Sequence, residues 1–160
     1  MLTIFLDIDG VLNCWGPNSK NKEISLEDFG PFCNFNEEPL NHFYTTLLML
    51  EASGYEYEIV ISSTWRKWYS YDEFVAMGEK LEAIRFIIFK LPKDRWKTED
   101  SRRGFRGDEI NDYINTYNIE RYVCIDDMTD FYNYQPLIKT PSSLGFGLKH
   151  MNALVEFAKG

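Results

Sequence analysis

Two pairs of aspartates, each at the end of a hydrophobic run, are the residues of this chain best suited to chemistry. Asp7 and Asp9 lie in the run LTIFLDIDGVLN, which begins at Leu2, and Asp126 and Asp127 end the run RYVCIDD. Side chains alternate across a strand, so Asp7 and Asp9 point to the same side. Carboxylates held close together repel one another unless a cation neutralises them. Mg²⁺ is a hard ion that accepts a few carboxylates and completes its shell with water and substrate phosphate.

Hydroxyl and cationic side chains follow another hydrophobic run, EIVIS at 58–62. This run ends in Ser62, Ser63 follows it, and Arg66 comes shortly after them in the segment ISSTWR. An arginine fork can hold a phosphate through two parallel hydrogen bonds. The alternative is a strand end that merely starts a turn, because serine is common in turns, with an exposed arginine that pairs with nothing.

Short strands that alternate with helices must position these residues. After the first strand, further strands are predicted at 58–62, 86–89, 121–127 and 136–139, and helices at 40–53, 71–82, 107–117 and 148–158. This alternation predicts an α/β fold with a three-layer, doubly wound parallel sheet whose central strand is the first one. Ligands of such sheets collect outside the carboxyl ends of the strands, so the aspartates and serines are expected to share one crevice.

The first run, a hydrophobic strand followed by DxDGVL, resembles motif I of the haloacid dehalogenase (HAD) superfamily of aspartate-dependent phosphatases. The resemblance implies a Rossmannoid strand order of 5-4-1-2-3, with Asp7 as nucleophile and Asp9 as general acid and base. A catalytic acid at position 9 favours a phosphatase over a dehalogenase. A calcium-binding loop also begins with alternating carboxylates, but Val11 stands where its third ligand would lie, and a strand precedes the motif where that loop has a helix.

Later segments resemble the other HAD motifs. ISSTWR is similar to motif II, which implies that Ser62, or otherwise Ser63, hydrogen-bonds the phosphoryl group. Arg106 at the start of a helix is similar to motif III, although that motif more often has lysine, and Lys97, Arg102 and Arg103 remain competitors. The acids at 126–127 resemble motif IV, which implies Mg²⁺ ligands; the resulting set is Asp7, Asp9, Asp126 and Asp127.

Residues 14–39 read as a polar, irregular loop insertion, with turns at Gly16, Pro17, Gly30 and Pro31. About twenty-five residues are too few for an independent core, so a minimal cap or none is expected, over an open site. The 160 residues, 44% of them hydrophobic, predict a single domain over 1–160.

A net charge of -8 disfavours binding to nucleic acid or to anionic membranes by the chain as a whole. The segment 90–106 is the exception, because it holds seven cations against three acids. This basic segment suggests an anionic partner, and a solvated surface loop is the alternative. Trp65, Trp68 and Trp96 are candidates for stacking on terminal bases, or for packing in the core.

Cysteine usage and hydrophobic patterning indicate a reducing, cytoplasmic location. Cys14, Cys33 and Cys124 are odd in number and lack metal-ligand spacing. No targeting segment is recognised, and no apolar run approaches the length that spans a bilayer, so no membrane partner is expected. No obligate protein partner is inferred.

The segments ISSTWR and RGDEI are also similar to the small HAD domains of RNA-repair proteins and polynucleotide kinase-phosphatases. This resemblance implies a Mg²⁺-dependent phosphatase that forms an aspartyl-phosphate and acts on a nucleotide or on the phosphorylated end of a polynucleotide. A small-metabolite or free mononucleotide phosphatase is the alternative. A metal-binding interaction module without turnover is a third reading, which the complete set of acids disfavours.

Overall fold

The computed structural model describes residues 1–16 and 22–160, in which strands alternate with helices. The strands are Leu2–Leu6 (β1), Glu23–Ser25 (β2), Asn34–Asn36 (β3), Tyr57–Ile61 (β4), Tyr122–Asp126 (β5) and Leu137–Lys139 (β6). The helices are Glu37–Ala52 (α1), Trp65–Trp68 (α2), Tyr71–Lys80 (α3), Glu82–Phe89 (α4), Arg106–Tyr117 (α5) and Leu148–Lys159 (α6). None of these helices combines the length and the apolar sequence needed to cross a bilayer.

β1 lies inside a four-stranded parallel sheet with the order β4-β1-β5-β6. Leu6, the last residue of β1, lies opposite Ile61 of β4 and opposite Ile125 of β5, so the three strands end nearly level. In the numbering of the predicted strands this order is 5-4-1-2. The prediction of an α/β fold with a parallel sheet is therefore confirmed, and the third predicted strand is missing from the sheet.

Side chains of β1 alternate between two apolar clusters. Ile4 and Leu6 belong to the larger cluster, to which α1, α3, α4 and α6 also contribute. Phe5 belongs to the smaller one, with Ile110 and Tyr113 of α5. Because β1 is buried on both faces, its sequence is an apolar run interrupted only by Thr3.

The prediction of a strand at 86–89 was wrong, because these residues form the end of α4. A four-residue apolar run does not distinguish a buried strand from a buried helix. The burial pattern of the whole helix does: Ala83, Ile84, Ile87 and Ile88 are buried, whereas Phe89 is 82% exposed. Spacings of three and four residues form one apolar stripe on a helix, and this stripe faces the larger cluster.

The segment 90–98 lies beside β4, where the third strand was predicted. The Ile61 amide donates to the Trp96 carbonyl (2.8 Å), and the Ile61 carbonyl accepts from the Thr98 amide (3.1 Å). An isolated parallel bridge joins Ile61 to Lys97. This segment therefore satisfies part of the hydrogen-bonding edge of β4 without forming a strand.

The insertion predicted as a loop at 14–39 contains regular structure. β2 and β3 form an antiparallel pair, a 3₁₀ turn at Glu27–Phe29 precedes β3, and α1 begins at Glu37 within the predicted loop. Leu26, Cys33 and Phe35 are buried in the larger cluster, so the insertion packs on the core of the sheet. The predicted turn residue Pro17 lies outside the described residues.

Replacing Ile87 with alanine is expected to lower the free energy of unfolding by about 2 to 5 kcal/mol, because a buried side chain leaves a cavity in the core. Phe89→Ala is the matched control on the same helix. It should change the same free energy by less than about 0.5 kcal/mol, since Phe89 is exposed. Urea denaturation measures both values, and equal losses at the two positions would contradict the helical assignment.

Candidate active site

Three carboxylates meet at the carboxyl ends of β1 and β5. Asp7 directly follows β1, Asp126 is the last residue of β5, and Asp127 follows it. Because the two strands are neighbours that end nearly level, one oxygen from each of these side chains lies within 4.8 Å of the others. We call these three residues the acidic cluster.

Burial makes the acidic cluster unfavourable unless a cation neutralises it. Burial raises the pKa of Asp7 well above its ordinary value, and the Asp126 carboxylate raises it further. Burial also raises the pKa of Asp126 to about 6, and it raises the pKa of Asp127. Asp126 Oδ2 is buried without a hydrogen-bond partner among the described residues. Convergent carboxylate oxygens, one of them without a hydrogen bond, fit a hard divalent cation.

Gly10 allows the Asp127 side chain to lie against the backbone that follows Asp7. Its φ is +77°, and a Cβ at this position would lie 2.3 Å from Asp127 Oδ2. Thr140, which follows β6, fixes the same region: its hydroxyl donates to the Gly10 carbonyl (2.7 Å) and its amide donates to the Asp126 carbonyl (3.0 Å). Sequence reasoning missed Thr140, since nothing local relates it to a glycine 130 residues away.

Asp9 was predicted as a fourth metal ligand, and its side chain is not part of the acidic cluster. Its Oδ1 accepts two hydrogen bonds, from the Asn13 side-chain amide (2.9 Å) and from the Trp65 indole N–H (3.0 Å). Asn13 also accepts from the Gly10 amide (2.8 Å), so it holds the turn and the carboxylate together. Asn13 lies within the motif I run and Trp65 within ISSTWR, but sequence reasoning assigned neither of them this role.

Ser62 and Ser63 follow β4 and are buried. The Ser62 amide donates to the Leu6 carbonyl (3.0 Å), which places Ser62 beside the end of β1 and next to Asp7. The Ser63 hydroxyl accepts from the Trp65 amide (3.2 Å). The structure thus brings Ser62 to the same edge as the acidic cluster, and its contact with a phosphoryl group stays a prediction.

Arg106 begins α5 and reaches the acidic cluster. Its Nη1 lies 3.5 Å from Asp126 Oδ2, and the same atom donates to the Ser62 carbonyl. Its backbone amide donates to Asp130 Oδ2 (3.1 Å), which ties the helix to the loop after β5. The Arg106 charge opposes the rise in the pKa of Asp126. Arg106 is therefore placed to act on an anion that enters the site.

The three competitors of Arg106 lie elsewhere. Lys97 is half-buried, with its Nζ 5.4 Å from the Trp96 ring centroid, and Arg102 and Arg103 are exposed. Within the described ranges, none of the three forms a salt bridge with the acidic cluster. The geometry thus favours Arg106 as the motif III cation.

Arg66 was predicted as a phosphate clamp, and protein groups occupy all of its donors. It is 5% exposed. Its Nε donates to the Thr98 carbonyl and its Nη1 to the carbonyls of Ser62 and Ser63; its Nη2 donates to Asp100 and Glu109. Guanidinium has five N–H donors, so Arg66 has none left for a phosphate in this arrangement. Glu109 also lies 3.6 Å from Arg106 Nε, which makes Arg66 a support for Arg106.

Part of the basic segment is neutralised within the protein. Arg95 forms two hydrogen bonds with the Glu58 carboxylate, at 3.0 and 2.7 Å, and Lys90 pairs with Glu51. Fewer positive charges of the basic segment are therefore left for an anionic partner than the sequence count suggests. Arg102 and Arg103 remain as exposed cations close to α5 in sequence.

The predicted stacking tryptophans divide between core and surface. Trp65 is 1% exposed and packs against the Phe35 ring, with centroids 5.2 Å apart. Trp96 is also buried, against Phe74. Trp68 is 56% exposed. Of the three, only Trp68 is available to a ligand.

A parallel sheet whose central strand delivers Asp7 beside Asp126 and Asp127 is the arrangement expected for the HAD class. The family model described as "HAD domain in Swiss Army Knife RNA repair proteins" matches residues 3–151. The chain belongs to this family, which confirms the resemblance inferred from the motifs. A search of curated proteins and a search of solved structures give no significant match.

Gly10→Ala is expected to destabilise the protein in Mg²⁺ more than Gly54→Ala does. Both glycines have similar positive φ values, +77° and +73°, but no atom lies within 4 Å of a Cβ built on Gly54. Gly54→Ala should thus lose about 1 to 2 kcal/mol from backbone strain alone. Gly10→Ala should lose about 1 to 3 kcal/mol more, because its methyl group displaces Asp127. Urea denaturation in Mg²⁺ compares them, and equal losses would refute the close approach.

Without divalent cations, the protein should lose stability as the pH rises from about 4 to 7. A carboxyl group whose folded pKa is raised binds protons in the folded state that the unfolded state has released, so deprotonation favours unfolding. Asp126, with a pKa of about 6, should contribute on the order of 1 to 3 kcal/mol to this loss. Asp126→Asn should flatten the pH dependence, and Mg²⁺ should stabilise wild type at pH 7 and not at pH 4.

Thermal unfolding across this pH range, with EDTA and with Mg²⁺, measures the effect. Asp94→Asn is the control, because Asp94 is an exposed aspartate that is not part of the acidic cluster. A stability profile that Asp126→Asn leaves unchanged would show that repulsion within the cluster is negligible.

Proposed function

We propose that this protein is a Mg²⁺-dependent phosphatase that removes phosphate from a nucleotide or from the phosphorylated end of a polynucleotide. The observation that supports this most strongly is the buried acidic cluster with Arg106 beside it. Membership of a family of HAD domains from RNA repair proteins favours a nucleic-acid end as the substrate.

Asp7 is the proposed nucleophile. Its carboxylate attacks phosphorus, and the bond from phosphorus to the leaving oxygen breaks, which leaves an aspartyl-phosphate. Water then attacks the same phosphorus, and the bond between phosphorus and Asp7 breaks to release inorganic phosphate. Position supports this role, since Asp7 directly follows the central strand and is 5% exposed.

Asp9 is the proposed general acid and base. It gives a proton to the leaving oxygen and later takes one from the attacking water, so each cycle returns it to its starting state. Because the Asn13 amide and the Trp65 indole both donate to Oδ1, we assign the transferred proton to Oδ2. Asn13 and Trp65 then act as positioning residues for this carboxylate.

A phosphate ester repels an anionic nucleophile, so positive charge must surround the reacting group. Asp7, Asp126 and Asp127 would hold Mg²⁺, whereas the Oδ1 of Asp9 accepts from Asn13 and Trp65 and its Oδ2 is left for the transferred proton. A bound Mg²⁺ supplies charge that lets the phosphate approach Asp7. Arg106 adds a fixed cation on the side of Asp126.

The remaining predicted phosphate ligands have different levels of support. Ser62 lies beside the end of β1, and we propose that its hydroxyl donates to the phosphoryl group, with Ser63 as the alternative. Lys97 and Arg103 are proposed only as outer contacts to the substrate backbone. Arg66 is proposed as a positioning residue, because Glu109 links it to Arg106.

Asp7→Asn is expected to reduce phosphate release by at least about 1,000-fold while the protein stays folded, since the amide is not a nucleophile. Chelation should abolish the wild-type activity reversibly, and Ca²⁺ should restore little, because its looser coordination misplaces the phosphoryl group. Phosphate release is measured on mononucleotides, sugar phosphates, and oligonucleotides with 3′ or 5′ phosphates. Asp94→Asn is the control, and near-normal turnover by folded Asp7→Asn would remove the covalent mechanism.

Neutralising Arg102 and Arg103 should lower kcat/KM for an oligonucleotide substrate and reduce the dependence of kcat/KM on salt concentration, because each phosphate contact releases counterions. The double variant Arg102→Ala/Arg103→Ala should lose about two units of the slope of log(kcat/KM) against log of the salt concentration. Arg85→Ala/Lys159→Ala removes two exposed cations from α4 and α6 and should change nothing. If a mononucleotide is the better substrate and both variants behave alike, the small-molecule alternative replaces this proposal.

A further inference from the structure

Three large aromatic side chains are exposed around one cleft. Trp15 is 54% exposed, Phe32 is 76% exposed and Trp68 is 56% exposed. Single exposed aromatics are common on protein surfaces, but several that line one concavity mark a binding surface. These three line a cleft of about 280 Å³, which we call the aromatic cleft.

The aromatic cleft opens beside the proposed general acid. Asp9 and Asn13 are among its lining residues, and no member of the acidic cluster is. Asp9 protonates the leaving oxygen, which belongs to the sugar of a nucleotide substrate. The nucleoside must therefore lie on the side of the site that Asp9 faces, and the aromatic cleft is on that side.

Hydrogen bonds and chain connections link each of the three aromatic residues to the structure around Asp9. The Trp15 amide donates to the Ser142 carbonyl (3.1 Å), so Trp15 is tied to the chain that follows β6. Trp68 ends α2, the same short helix whose Trp65 donates to Asp9. Phe32 precedes β3, whose Asn34 carbonyl accepts from the Asn13 side-chain amide (3.0 Å). Each aromatic residue is thus connected within a few residues to a group that fixes Asp9 or the adjoining chain.

The charge of the lining indicates which part of a nucleotide fits. Asp9 and Glu23 contribute negative charge, and no lysine or arginine is among the described lining residues. A phosphate group would be repelled from this surface, whereas a flat, uncharged ring can stack on tryptophan and phenylalanine. Protein modules that recognise single-stranded RNA commonly stack bases on aromatic side chains.

We propose that the aromatic cleft binds the base of the terminal nucleotide, the one whose phosphate reacts at Asp7. This inference rests on the proposed function, and it adds that the base contributes to substrate binding. Stacking is tolerant of base identity, because every base has a π face. The site should therefore require a base without strongly preferring one.

Direct binding tests the proposal independently of turnover. The protein is Asp7→Asn, and the probes are a single-stranded hexaribonucleotide with a terminal phosphate and the same oligonucleotide lacking its terminal base. Quenching of tryptophan fluorescence or calorimetry gives each Kd. Trp15→Ala, Phe32→Ala and Trp68→Ala are each expected to weaken the complete probe by roughly 5- to 150-fold, the range found on removing a stacking aromatic. Binding of the base-free probe should change less than about twofold.

Matched variants separate stacking from a general loss of structure. Trp68→Phe keeps an aromatic face and should retain most of the affinity. Phe89→Ala removes an exposed aromatic from α4, outside the aromatic cleft, and should have no effect. Equal weakening of both probes, or aromatic variants that behave like Phe89→Ala, would overturn the proposal. Sedimentation tests whether the chain self-associates. Self-association that the aromatic variants abolish, with no effect of the terminal base on probe binding, would also overturn the proposal.

The outcomes for the aromatic cleft and for the phosphatase are distinguishable. Base-dependent binding that the aromatic variants reduce, in a protein whose wild type releases no phosphate, would support the cleft and reject the catalytic proposal. Phosphate release by the wild type, together with equal binding of the probes with and without the terminal base, would support the catalytic proposal and reject the cleft.

Discussion

Repulsion among three buried carboxylates is the constraint on which the rest of this structure depends. Asp7, Asp126 and Asp127 hold oxygens within 4.8 Å of one another, in surroundings that raise the pKa of each. Such an arrangement persists only if the backbone leaves the side chains little freedom to separate. Paired parallel strands supply that rigidity, since their ends are fixed by the hydrogen bonds of the whole sheet.

Residues around the acidic cluster form two sets, one that supplies positive charge and one that orients Asp9. Arg106 brings positive charge to Asp126, and Arg66 supports it through Glu109. Orientation of Asp9 depends on a separate set of donors, Asn13 and Trp65. Trp65 and Arg66 are consecutive residues of α2, so this short helix contributes to both sets. A displacement of α2 would therefore disturb both the orientation of Asp9 and the support of Arg106.

Local patterns allowed the sequence to predict the strand ends and their acids, because both the apolar runs and the carboxylates are contiguous in the chain. The run at 86–89 failed for the opposite reason: four residues contain too little periodicity to separate strand from helix. Partners of Arg66 span residues 62–109 and converge only after folding, so its buried role had no sequence signal. The sequence did not indicate a role for Trp15 and Phe32. The strands β2 and β3 of their segment have three residues each, too few to show an alternating pattern.

The segment 90–98 also has a consequence for how copies of the chain meet. An unpaired edge strand is a template on which a second molecule can add its own strand, and this is a common start of aggregation. β4 occupies such an edge of the sheet, and Ile61 already bonds Trp96 and Thr98 on that side. Irregular backbone with Pro92 cannot itself continue the ladder. At the β4 edge, where the third predicted strand is missing, the sheet thus ends in backbone that a strand of a neighbouring molecule cannot readily extend.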